Sequence, residues 1–326
     1  MNLNNLEALK LEMKALGFGD KITTLMEEQM RNNIPNFALD ERFLGGKGQV
    51  NLTLYFKQSS NSEYYYMNRF EAYLHKGTPL EQGQKYLLIT KDADGRNQFK
   101  KLENMVEAIT LFKRHTGNCE LAIGKDVAHK TPLVMMEEGK VNYLTKDFQQ
   151  TFYAPPIPQT FWVDHGKGYT AEQAVNLMQG RAVYRDDLLS RDGHQYKAWM
   201  ILDIGKPRDR YNNFTTRQFM DPNYGFDLKR SLNEFKIKDL EDPKKVENLE
   251  LSLRHGNRPI VTVEKGGEQV KVFVETAVRY GKINFFDLDG KTVKQGELLK
   301  APALNQGLAK VKRIGKGVEE GMGIER

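Results

Sequence analysis

ITTLMEEQMRNNIPNFAL at 22–39, followed by QVNLTLYF at 49–56 and EYYYMNRFEAYL at 63–74, has a counterpart near the other end of the chain: VENLELSLRHGNRPIVTV at 246–263, QVKVFVETAV at 269–278 and KINFFDLDG at 282–290. Both copies begin with a helical stripe. Ile22, Leu25, Met26 and Met30 recur at three- and four-residue spacing, and Asn32-Asn33-Ile34-Pro35 then breaks the period, because proline fixes φ and disfavours helix before it. Val50, Leu52, Leu54 and Phe56 alternate, as a half-buried strand requires. Each copy is thus a helical entry into an antiparallel meander. The fold class expected is α+β, with serial helix-plus-antiparallel β-meander modules and the N-terminal module echoed at the C-terminus.

Working outward, Leu3, Leu6, Leu9, Met13 and Leu16 predict a further helix over 3–16, so residues 1–80 form an N-terminal helix/meander module. Residues 81–153 read as a small α+β module: a strand at 86–90, a turn at Asp92-Ala93-Asp94-Gly95, a helix over about 102–114 and short strands at 120–123, 133–137 and 140–144. Asn104 with Glu107 offers a later start for that helix, as a cap. Prolines 155, 156 and 158 force an extended crossing. A strand-helix-hairpin module follows at 159–204, its helix opened by the capping box Thr170-x-x-Gln173. Residues 205–225 lack a period and read as a basic-aromatic loop; 226–299 repeat the first module; 300–326, dotted with glycine, read as a disordered tail.

Composition narrows the function classes. With 326 residues, 49 cationic against 43 anionic side chains and a net charge of +6, the chain favours polyanions only mildly. A single cysteine, Cys119, excludes an internal disulfide and a multi-cysteine zinc site, and it reads as a small buried hydrophobe. The N-terminus lacks the pattern of a secretory signal and no window of about 18 apolar residues occurs, so a cytoplasmic protein without membrane contact is expected. The six histidines are scattered, and no H-E-x-x-H, P-loop, G-x-S-x-G or kinase signature is present. GGKG at 45–48 and HGKG at 165–168 read first as turns, with phosphate cradling the alternative, and Asp287-x-Asp289-Gly290 reads as a hairpin turn. No catalytic residue, metal site or cofactor is therefore assigned.

One stretch has the composition of a binding surface. Lys206, Arg208, Arg210, Tyr211, Phe214 and Arg217 alternate cations with rings, the mixture by which guanidinium groups neutralise phosphates while ring faces stack on bases. Arg181, Arg185 and Lys167 widen the patch if their hairpin and turn lie alongside. The competing reading is an irregular loop whose rings cover the adjacent core. Tyr64-Tyr65-Tyr66 is either a protein-binding face or a strand that buries alternate rings.

GKGYTAEQAVNLMQGRAVYRDDL, YKAWMILD, DPNYGFDLKRSLNEFKIKDLEDP and LRHGNRPIVTVEKGG, spread over most of 159–295, resemble the uncharacterised domain family common on conjugative and other mobile elements of the Bacteroidetes group. Members of that family stand alone or are appended to topoisomerase- and primase-like modules. The resemblance implies a setting near DNA processing, while no toprim-type or zinc-ribbon segment is present here. The functional expectation is a non-enzymatic accessory protein that binds nucleic acid, the alternative being a protein-interaction adaptor or inhibitor of a host factor. An enzyme would require a pocket gathering His165, Arg181 and carboxylates.

Overall fold

The computed structural model describes residues 2–75, 80–91 and 95–300; the Asp92-Ala93-Asp94 turn and the tail beyond Lys300 lie outside them. The described residues form an α+β fold of repeated modules, with four antiparallel sheets.

Helices α1 (Leu3–Ala15) and α2 (Asp20–Arg31) lie over one face of a sheet built from β1 (Asn36–Gly45), β2 (Gly48–Gln58) and β3 (Tyr65–His75). The alternation along β2 settles which face is inside: Val50, Leu52, Leu54 and Phe56 share a core with Leu6, Leu9, Met13, Ile22, Met26 and Met30. Asn5 pins α1 to β3, its amide donating to the Tyr65 carbonyl at 2.9 Å and accepting from the Tyr65 N–H at 2.7 Å. That leaves Tyr65 buried between the exposed Tyr64 and Tyr66, as strand alternation dictates.

The second sheet contains β4 (Lys85–Lys91), β5 (Asn97–Leu102), β6 (Cys119–Gly124), β7 (Lys130–Glu137) and β8 (Lys140–Leu144), and packs with α3 (Met105–Arg114) and α4 (Lys146–Tyr153). Two features differ from expectation. Residues 97–102 form a strand, so α3 starts later, where the Asn104 side chain accepts from the Val106 and Glu107 N–H groups. Helix α4 is short, and it is held by the burial of Phe148 and Phe152 against the sheet and by Lys113 of α3, whose ammonium donates to the Phe152 carbonyl at 2.6 Å. Cys119 is buried, which pushes its thiol up to about 11.

After the proline crossing the chain returns to the first sheet. Strand β9 (Gln159–Asp164) pairs with β3, and β10 (Lys167–Gly168) pairs with β9 around the 165–166 turn. Helix α5 (Ala171–Met178), with its capping box formed, also packs into the first core. The segment expected as one strand-helix-hairpin module at 159–204 thus serves two sheets, because the outer edge of β3 offers unpaired backbone groups that β9 satisfies.

A third sheet comprises β11 (Val183–Leu189), β12 (Gln195–Leu202) and β13 (Thr216–Asp221). The presence of β13 corrects the reading of 205–225 as loop throughout. Its six residues carry no period of their own, but pairing with β12 places Phe219 opposite Trp199 and buries both. The sheet is shared: Val183, Ala198, Met200 and Leu202 face the first core, while Tyr184, Trp199 and Phe219 face the last.

The last module has α6 (Leu228–Asn233), α7 (Pro243–Arg254) and the meander β14 (Ile260–Lys265), β15 (Glu268–Ala277) and β16 (Lys282–Phe286), the expected echo of the first. Asp242 caps α7 by accepting from the Lys244 and Lys245 N–H groups, with Pro243 in the first turn.

Candidate nucleic-acid interface

The stretch 205–215 is irregular in backbone yet tightly held. Arg208 Nη2 donates to the Ile157 carbonyl at 2.9 Å, and Nη1 to the carbonyls of Pro158 and Asn212. Its guanidinium lies 3.7 Å from the centre of the Phe214 ring. The Asp209 carboxylate accepts from the N–H groups of Tyr211 and Asn213, both at 2.9 Å. The loop is then stitched to the edge of β9: the Thr160 N–H donates to Asn213 Oδ1 at 2.7 Å, and the Phe214 N–H to Gln159 Oε1 at 2.8 Å.

These bonds hold open a groove of about 570 Å³ between β9 and the loop, lined among others by Trp162, Tyr169, Arg185, Tyr211 and Phe214. Trp162 is 63% exposed and Tyr211 68%. Large rings usually bury most of their surface, so two of them presented on one rigid groove are available to a ligand.

The structure distributes the expected residues unevenly. Tyr211, Phe214 and Arg185 line the groove, Arg210 stacks on Tyr211 at 4.7 Å, and the exposed Lys167 adjoins Gly168 at its rim. Arg208 is spent on carbonyls beneath Phe214, and burial lowers its pKa. Arg185 forks onto Asp187 at 2.6 and 2.7 Å with its face 4.6 Å from Tyr169, and this bond holds the Asp187 carboxyl below its usual range. Arg217 at 2.7 Å and Lys206 at 3.6 Å converge on Asp203, whose pKa Arg217 lowers. Arg181 lies elsewhere. The nine residues therefore do not form one continuous basic face; the rings gather, and several cations are neutralised by partners. Trp162 and Tyr169 belong to the groove and lie outside the expected set, although alternation along the strand at 160–163 already places Trp162 opposite the buried Phe161.

Arg181 belongs to a second cleft, of about 590 Å³, where α5, the end of α7 and the β1–β2 hairpin meet. Here side chains of the stretch 166–188 meet those of the stretch 253–267. Buried Asn176 donates to the His255 carbonyl and to Asn257 Oδ1, both at 2.8 Å, and accepts from Arg181 Nη1 at 2.7 Å. Glu172 accepts from His255 Nδ1 at 2.7 Å and Asn257 Nδ2 at 2.8 Å. A histidine oriented by a carboxylate is half of a general-base arrangement. Thr170, the one hydroxyl residue lining this cleft, is committed to capping α5, so the groups bond one another and the cleft reads as a joint between modules. His165 lies apart, 3.7 Å from Glu12 and 90% exposed.

The His255 bond, followed by that from Asn257, lowers the Glu172 pKa. A depressed carboxyl pKa contributes stability that is present above the unfolded value, about 4.3, and is lost as pH falls through the folded value. With the carboxylate half-exposed, Glu172→Gln is expected to cost about 1 kcal/mol at pH 7. Urea midpoints of the two proteins should draw together as pH falls below about 4.3 and through the folded value, and a gap that does not narrow over that range would contradict the ionic origin.

Among the described residues no group of three or more His, Cys, Asp or Glu is placed to hold a metal ion, and no helix is long and apolar enough to cross a membrane. No protein-family model, curated protein or solved structure matches the chain.

Proposed function

We propose that the chain is a cytoplasmic, non-enzymatic accessory protein of a mobile element that binds nucleic acid in the groove between β9 and the 205–215 loop. The observation that carries this reading is the pair of exposed ring faces, Trp162 and Tyr211, fixed on one rigid groove beside Arg210 and Lys167. Base–ring stacking contributes about 1–3 kcal/mol per base and tolerates any sequence, so the affinity comes chiefly from the rings. The cations add a modest electrostatic share, since Arg185, Arg217 and Lys206 already face carboxylates. Arg208 and Arg181 act as framework and are not contacts. The resemblance of 159–295 to mobile-element proteins supplies the setting.

Fluorescence anisotropy with a labelled oligonucleotide tests the reading. Tyr211→Ala and Trp162→Ala are each expected to weaken binding by about tenfold, the lower end of one lost stack. Because few phosphates are contacted, the affinity should fall with salt far less steeply than for a protein making about six to ten phosphate contacts. Absence of binding at about 50 mM salt, where phosphate contacts are strongest, would remove the reading.

A further inference from the structure

The sheet that presents Trp162 has an outer face that is covered at one end and open at the other. Toward the covered end, the Tyr73 hydroxyl accepts from Asn51 Nδ2 at 2.8 Å and from the Met105 N–H at 3.0 Å, and Asn104 Nδ2 reaches Thr53 Oγ1 at 2.8 Å, so the second module sits on this part. Toward the open end, the strand register sets a row across three strands: Trp162 of β9 opposite Arg69 of β3, and Arg69 opposite Tyr55 of β2. Partners on adjacent strands are about 5 Å apart, so this row spans about 10 Å. It points away from the core, because Phe70, Phe161 and Leu54 next in each strand are buried against α1 and α2.

The row continues into a cleft. Arg69 lies 4.7 Å over the Tyr55 ring, and beyond a bulge Lys57 pairs with Tyr66, which is 40% exposed. Asn36, Tyr55, Lys57, Tyr66, Asn68 and Arg69 bound a cleft of about 500 Å³, and no carboxylate is among the residues lining it. Glu71 stands at its margin, accepting the Tyr55 hydroxyl at 2.9 Å and lying 3.7 Å from Arg69. Trp162 lines the groove against the loop and Arg69 lines this cleft, so the direct Trp162–Arg69 pairing makes the two surfaces adjoin.

We infer that a single-stranded nucleic acid runs from the Tyr211–Trp162 groove across the open end of the first sheet to the Tyr66 cleft. This rests on the nucleic-acid reading of the groove and deepens it by naming the strandedness and the path. Unpaired bases offer free faces to Tyr211, Trp162 and Tyr66, whereas duplex bases are stacked on one another. Arg210 and Lys167 meet phosphates at one end and Lys57 at the other, while Arg69, already facing Glu71, holds the Tyr55 ring between them. The acid-free lining of the second cleft complements the charge of the strand.

The test uses the full chain with labelled oligothymidylates of about 5 and about 15 nucleotides, bracketing a one-cleft and a two-cleft occupant, and a 15-base-pair duplex. The long single strand is expected to bind at least tenfold more tightly than the short one or the duplex. Lys57→Ala combined with Tyr66→Ala should remove that advantage and leave short-strand binding unchanged, while Tyr211→Ala weakens both. Lys57 and Tyr66 are exposed, and an unchanged thermal melt confirms that the variant folds. Equal binding of long and short strands, with Tyr211→Ala still harmful, overturns the path but leaves the groove reading standing. A duplex that binds as tightly as the long strand overturns the strandedness. Failure of every oligonucleotide to bind removes the groove reading and this inference together.

Discussion

Phe70→Ala is expected to lower the stability of the protein by about 4 kcal/mol, the range for emptying a large buried ring site. Phe70 has no exposed surface. Its ring meets Phe18 edge-on at 5.5 Å, from the turn between α1 and α2, and stacks on Phe161 of β9 at 5.3 Å. The substitution therefore leaves a cavity where three segments of the chain meet, one of them some 90 residues away. Its partner makes the expectation sharper. Aromatic pairs contribute about 0.5–1.5 kcal/mol beyond their buried area, so a double-mutant cycle of Phe70→Ala and Phe161→Ala should show coupling of about 1 kcal/mol. Urea unfolding measures both quantities. A loss below about 1.5 kcal/mol, or strictly additive single effects, would mean that β9 does not complete the first sheet.

That strand also marks the limit of what the sequence discloses. Helices α2 and α7, the meanders after them and the capping box at Thr170 were readable because the interactions that make them lie within a few residues. In the last case Gln173 N–H donates to Thr170 Oγ1 and Thr170 N–H to Gln173 Oε1, both at 3.2 Å. The D-x-D-G turn is equally local, with the Lys291 N–H donating to Asp287 Oδ1 at 2.7 Å. The strand at 160–163 was foreseen, but its partner was not, since nothing near β9 says that β3 lacks a neighbour. Strand β13 was hidden because its period exists only in register with β12, and α4 because eight residues are too few for an isolated helix to persist without the core that Phe148 and Phe152 enter.

The same distinction runs through the site. Composition brought out Tyr211 and Phe214, which line the groove. It could not separate a cation that meets a ligand from one that builds the loop. Arg208 looks like its neighbours in sequence, yet its partners are carbonyls of the proline crossing about 50 residues earlier. Arg181 looks like part of the same patch, but its acceptors are the side-chain amides of Asn176 within α5 and of Gln179 at its end. Those two bonds, with the Glu275 carboxylate 3.8 Å from Nε, hold a largely buried guanidinium turned into the joint and away from the groove. The residues of the second cleft follow the same logic: Asn176, Arg181, His255 and Asn257 meet one another, so the joining of α5 to the end of α7 gives each of them a structural partner.

At the centre of that joint, Gly256→Ala is expected to cost about 3 kcal/mol, through two separable effects. Gly256 follows the end of α7 in the left-handed region at φ +83°, its N–H donating to the Leu253 carbonyl while the Asn257 N–H donates to that of Ser252. An alanine there carries about 1 kcal/mol of backbone strain. The larger part is steric: a Cβ would stand 2.8 Å from the Ala182 carbonyl oxygen, 2.9 Å from Val183 Cγ1 and 3.0 Å from Asn176 Cβ, and two of those three neighbours are buried side chains with no room to yield. Moving α7 outward to relieve the contact would stretch the Asn176 bonds to His255 and Asn257. Gly225 provides the control, because it has nearly the same φ, +81°, and nothing within 4 Å of a Cβ. Gly225→Ala should cost only the strain, about 1 kcal/mol. The difference between the two urea midpoints measures the close approach of the end of α7 to α5 and the start of β11, and equal losses would show that these segments are not in contact there.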